Sequence, residues 1–195
     1  GFKDWGFHPW LGALLAEAGV AAVHFNFSRN GVRAADGDIE DLEAFAANTL
    51  SIERDDLDTV LDAVVSGALD ASIDPQRVGL LGHSRGGGSA LLGASERREA
   101  KALVTWAAVS HFDRIRDEAT LAEWRRTGAF GVVNSRTGQV LPMGVAFLDD
   151  VLANLARFDL HPYGGPAPIG RIGGPGGAAL FADEHPHAKP PSKNL

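Results

Sequence analysis

The sequence predicts an α/β fold: a mostly parallel central sheet with helices on both faces, a helical cap-like excursion and a disordered C-terminal tail. Three observations predict it. Segments with helical apolar spacing alternate with short apolar or period-two runs. The stretches between those runs are long enough to hold the helical crossovers that parallel strands need. A glycine-rich turn then joins one apolar run directly to a helical segment. The 195 residues, 45% of them hydrophobic, suit one domain with its own core.

Each element has a local reason. Pro9 to Ala18 carries Leu11, Leu14, Leu15 and Ala18 at helical spacing, and Gly19 supplies a stop. Val20 to Ser28 alternates Val23, Phe25 and Phe27 with His24, Asn26 and Ser28, which predicts a strand closed by Asn30-Gly31. Glu53, Asp55, Asp56 and Asp58 cluster near the start of a helix with Leu57, Val60, Leu61, Val64, Val65 and Ala68 on its apolar side, where negative charge suits the dipole. That helix ends before Asp74-Pro75. Val78 to Leu81 is a short apolar run, Arg85 to Ser95 reads as helix, and Ala102 to Ala108 reads as another strand. Ile115 to Thr127 reads as a charged helix. Val132-Val133 and Val140-Leu141 then flank a turn at 135–138, and Val145, Leu148, Leu152 and Leu155 mark a further helix. These make an excursion over about 112–157, a usual position for a lid or cap.

Residues 1–160 contain 17 Gly and 3 Pro, against 7 of each in 161–195, so the body is read as ending near 160. The stretch from His161 to Gly177 has no period and few large apolar side chains, and burial there does not offset the entropy of ordering. The tail is therefore expected to be disordered. A formal charge of −7, from 18 basic and 25 acidic side chains, argues against nucleic acid or an anionic membrane as a partner. There is no cysteine, hence no thiol nucleophile or thiolate metal site, and no apolar run of membrane-spanning length. No His, Asp and Glu set has metal-ligand spacing, and no cofactor is expected. The chain is read as cytoplasmic.

Gly82-His83-Ser84-Arg85-Gly86 fits G-x-S-x-G. The pattern is common by chance, so its context decides its meaning. It follows an apolar strand directly and precedes a helix directly, as a nucleophile elbow requires. Glycines at 82 and 86 are expected to keep side chains out of a tight turn, with Ser84 in a strained conformation at the carboxyl edge of the sheet. The Arg85 amide, at the helix N-terminus, is the expected oxyanion donor. A phosphate-binding turn is the other reading, but neither Walker nor G-x-G-x-x-G spacing fits.

DPQRVGLLGHSRGGG, from Asp74 to Gly88, resembles the nucleophile segment of the α/β-hydrolase superfamily, in particular its dienelactone-hydrolase-like and prolyl-oligopeptidase-like single-domain members. GFKDWGFHPWLGALLAEAGVAAVHFNFSRNG and LVTWAAVSHFDR are similar to the flanking segments of those proteins. The resemblance covers residues 1–160. It implies a cofactor-free serine hydrolase that acts on a small-molecule ester, thioester or peptide-like amide through an acyl-enzyme on Ser84. The second oxyanion amide of the family falls just before Gly1, with Phe2 as the nearest candidate in this chain.

A serine nucleophile needs a histidine base oriented by a carboxylate. The family's apolar-HG-x-x-D string and later histidine do not appear after Leu160, which reads as a chain incomplete at both ends or shifted in frame near 160. Asp183 and His185 have the right order for acid and base. His111, His83 and His8 are pocket candidates. The alternative readings are a hydrolase fragment that only binds or supports structure, and an acyltransferase.

Overall fold

The computed structural model describes residues 2–33, 39–113, 117–134, 137–163 and 179–182. The first helix, α1 (His8–Glu17), has Pro9 in its opening turn, where a preset φ suits the helix, and Gly19 at φ 76° follows its end. A short helix α2 (Leu42–Ala46) is capped by Asp41, whose carboxylate accepts the Ala44 N–H at 2.9 Å. Sequence periodicity does not reveal so short a helix. The long helix α3 (Leu50–Val65) is capped by Thr49 and buries Leu50, Leu57, Leu61 and Val64.

Strand β1 (Val78–His83), helix α4 (Arg85–Glu96) and strand β2 (Ala100–Trp106) form one strand–helix–strand unit, and the two strands pair in parallel with His83 opposite Trp106. The excursion holds α5 (Glu118–Thr127), the antiparallel pair β3 (Ala129–Val133) and β4 (Val140–Gly144), and α6 (Val145–Ala153). A 3₁₀ turn covers His161–Tyr163. Finally β5 (Ala179–Ala182) pairs in parallel with β2, with Ala182 opposite Trp106, giving the order β1-β2-β5. The class is α/β.

Two expectations change. Val20 to Ser28 does not pair into a ladder among the described residues, because period-two alternation identifies faces and cannot supply a neighbouring strand. One of its backbone groups is met by a side chain instead, the Ser28 N–H donating to Asp56 at 2.7 Å, and the Asn26 side chain in turn accepts the Lys3 N–H at 3.0 Å. The third parallel strand comes from within 161–195, a segment expected to lack structure. Four apolar residues after the glycine run are enough to extend the sheet. The rest of that segment beyond Tyr163 lies outside the described residues.

The core gathers Leu50 from α3, Leu91 and Leu92 from α4, Leu103 from β2, and Trp124, Phe147 and Leu148 from the excursion. The excursion thus shares the core of the sheet and its crossover helix. Asp150 of α6 ties it further, accepting from Ser51 N–H at 2.8 Å and Ser51 Oγ–H at 2.6 Å at the start of α3. The opposite face of the sheet is partly open: Leu81 is 42% exposed and Trp106 51%.

Candidate active site

Ser84 stands between β1 and α4 with φ 55° and ψ −125°, one of two non-glycine residues at positive φ among those described. Such a conformation costs about 1–3 kcal/mol and persists only where the surroundings over-determine it. Here they do. The Ser84 N–H donates to the Trp106 carbonyl at 2.9 Å, and the Ser84 carbonyl accepts from Gly87 N–H at 3.0 Å and Val109 N–H at 3.2 Å. In a trans peptide the carbonyl and the following N–H point in opposite directions. Fixing the Ser84 carbonyl toward Gly87 and Val109 therefore also fixes the direction of the Arg85 N–H.

Glycine is required at three nearby positions. A Cβ on Gly82 would collide with the Gly86 carbonyl oxygen, one on Gly87 would lie 2.6 Å from Ala108 Cβ, and one on Gly88 would lie 2.7 Å from the Phe112 ring. Gly86 differs from the expectation. Its Cβ would meet nothing within 4 Å, so the second glycine of G-x-S-x-G is not sterically required here. The crowding falls one residue later, where α4 passes the loop after β2. The α4 start has no side-chain cap, and with the Gly87 N–H taken by the Ser84 carbonyl it is the Arg85 and Gly86 amides that can meet a bound anion.

The motif histidine and its surroundings form an aromatic cluster. Phe7 lies with its ring centroid 5.5 Å from that of His83 and 4.5 Å from that of Trp106, and it stacks on His8 at 4.3 Å. Burial holds His83 below the ordinary histidine range. His8 is lowered too, first by burial and further by positive charge around it, including His24 and His83. The structure therefore brings His8 and His83 together. Phe2 packs edge-on against Trp5 at 4.4 Å, and its carbonyl accepts the Trp5 N–H at 3.0 Å.

His111 follows Val109 by two residues, and its Nδ1 lies 2.8 Å from the Ser110 hydroxyl. With Asp113, Asp159 and His161 it lines a cavity of about 330 Å³ between the loop after β2 and the end of α6. His161 Nδ1 is 2.7 Å from Asp159, whose carboxyl is held below the usual carboxylate range by hydrogen bonds from the His161 backbone and side chain. Among the described residues no histidine bonds the Ser84 hydroxyl. Asp183 and His185 lie outside the described residues, although β5 ends at Ala182 on the same sheet edge as Ser84. Among the described residues no group of three or more His, Asp or Glu could hold a metal ion.

Solved structures share this architecture. Among them is a crystal structure of a provisionally named hydrolase from Agrobacterium vitis S4, matched with a TM-score of 0.59 at 23% identity. The match covers 79% of this chain and 57% of that one, so this chain spans little more than half of the other's length. At this identity the likeness establishes the α/β fold. No protein-family model matches the sequence, nor does any curated protein.

Sequence reading missed the polar layer behind the motif. Glu53, read as favouring a helix dipole, is 1% exposed and pairs with Arg85 Nη2 at 2.6 Å, while Asn48 Nδ2 donates to the same oxygen at 2.7 Å. Arg54, also 1% exposed, reaches Glu96 at 2.7 Å and Asp58 at 3.1 Å. The signal was present in part: Glu53 and Leu57 are four apart, so Glu53 shares the buried side of α3.

Proposed function

We propose that the chain carries the nucleophile half of a serine hydrolase of the α/β-hydrolase type. Ser84 Oγ attacks the carbonyl carbon of an ester, thioester or peptide-like amide, and its proton passes to a base. The Arg85 N–H receives the resulting oxyanion. Collapse expels the alcohol, thiol or amine and leaves an acyl group on Ser84, which water then removes. The observation that carries this reading is the positive φ of Ser84 at a junction between a parallel strand and a helix, held by bonds from two other segments. A hydroxyl with only a structural role has no need of that backbone. The hydrolase name of the Agrobacterium vitis protein adds support of a coarser kind.

In this reading Asp183, directly after β5, is the acid and His185 the base, because both follow a strand that ends level with His83. His83 and His8 shape the pocket wall, His111 borders it, and a second oxyanion amide comes from the region of Phe2. The preferred substrates are small acyl compounds.

A panel of p-nitrophenyl esters and acyl thioesters tests the reading. The chain is expected to give a burst of one product equivalent per molecule with an acyl adduct on Ser84, and Ser84→Ala is expected to give neither. Turnover that survives Ser84→Ala overturns it. Equal inertness of both proteins favours a domain that binds without cleaving.

A further inference from the structure

We propose that Glu53 is a positioning residue for the oxyanion side of this site, acting through the Arg85 side chain. The inference rests on the reading of Ser84 and Arg85 above. Arg85 is the residue whose N–H is assigned to the oxyanion, and its side chain is held at two points. The buried Glu53 carboxylate of α3 accepts from Nη2 at 2.6 Å, and the guanidinium carbon lies 5.5 Å from the Phe147 ring centroid of α6. One side chain beside Ser84 thus joins the crossover helix to the long helix and to the excursion.

The dependence runs in both directions. A buried carboxylate persists only with a cation or with hydrogen bonds, and Glu53 has few alternatives. Its Oε1 takes Arg85 and Asn48, while its Oε2, Asn48 Oδ1 and Arg54 Nε and Nη1 are buried without a hydrogen-bond partner. Arg85 is the only cation that the described ion pairs give to Glu53. Glu53 therefore dictates where the guanidinium lies. The Ser84–Arg85 peptide is fixed at its carbonyl by Gly87 and Val109, and the anchored Arg85 side chain fixes the α-carbon on its other side. Both ends of the donor's peptide unit are held before substrate arrives, as a preorganised oxyanion donor requires.

Glu53→Gln keeps the shape and the Asn48 bond and removes the charge. Arg85→Met keeps an apolar stem for Phe147 and removes the partner. Fluorophosphonate labelling of Ser84 and the NMR signals of the Arg85 amide and guanidinium are measured together, with Asp62→Asn on the exposed end of α3 as the control.

Each single variant is expected to slow labelling by about tenfold to a hundredfold through the bond-forming step, with reagent saturation little changed. The double variant is expected to be no slower than the slower single one, the signature of groups acting as a unit. The Arg85 amide is expected to shift in Glu53→Gln and to stay in place in Asp62→Asn. Unchanged Arg85 signals in Glu53→Gln overturn the inference, as do wild-type labelling rates in that variant. An unlabelled wild type defeats the reading of Ser84 instead, and the Arg85 signals then still decide whether Glu53 fixes that peptide. Should Glu53→Gln not fold, Glu53→Asp, which keeps the charge and shortens its reach to Arg85, decides in its place by the same two readouts.

Discussion

At the scale of single residues, Ser84 bears a conformational cost that makes sense only if its position is useful. Ser84→Gly removes the Cβ penalty at φ 55° and is expected to raise unfolding free energy in urea by about 1 kcal/mol, while removing the hydroxyl. A loss of stability would mean that the hydroxyl or Cβ makes contacts outweighing the strain. His83 gives a second prediction at this scale. Its folded pKa is depressed by burial, so the native state binds fewer protons than the unfolded chain once pH falls below the ordinary histidine value near 6.5. Stability is therefore complete above that value and is lost as pH falls toward the folded pKa. His83→Phe is expected to flatten that part of the pH profile from pH 7 to pH 5, read from urea midpoints, leaving the contribution of His8. An unchanged slope would place the titration elsewhere.

Among elements, the β1–α4–β2 unit separates what residue types reveal from what packing decides. The strand–turn–helix order was legible because Val78 to Leu81 is continuously apolar and glycines crowd the turn. Which of those glycines is obligatory was not legible, since it depends on the approach of Ala108 and Phe112 from the next loop. Gly87→Ala is expected to cost about 2–4 kcal/mol, because the neighbour is partly backbone and cannot move aside. Gly86→Ala, in open space in the first turn of α4, is expected to be neutral or to stabilise by about 0.5–1 kcal/mol. Thermal melts of the pair check this, and equal losses would contradict the asymmetry. Helix α3 shows the same division. The apolar row from Leu57 to Val64 announced the helix, whereas the burial of Glu53 depends on Arg85, 32 residues away, and no local pattern encodes that.

Across the whole molecule, α/β topology followed from the order of patterns, but the neighbours within the sheet did not. Val20 to Ser28 has the alternation of a strand and no ladder among the described residues, while Ala179–Ala182, short and placed after a glycine-rich run, has a ladder. Pairing is a non-local property, and four apolar residues carry little periodicity to read. Leu180→Pro removes an amide from the β2–β5 pair, where Leu180 stands opposite Val104, and is expected to cost about 1–3 kcal/mol in denaturant. No change would remove β5 from the sheet, and with it the reason to seek an acid at Asp183. The candidate site was legible as a motif and illegible as a complete set. Ser84 and Arg85 are adjacent in sequence, whereas an acid and a base must arrive from segments whose placement no spacing rule supplies.

The most direct measurement is intact-mass analysis after brief exposure to a fluorophosphonate, with peptide mapping of the adduct. One phosphonyl group per chain is expected, attached to Ser84 with loss of fluoride, and none in Ser84→Ala. A wild-type chain of unaltered mass, or an adduct mapped to another residue, would contradict it.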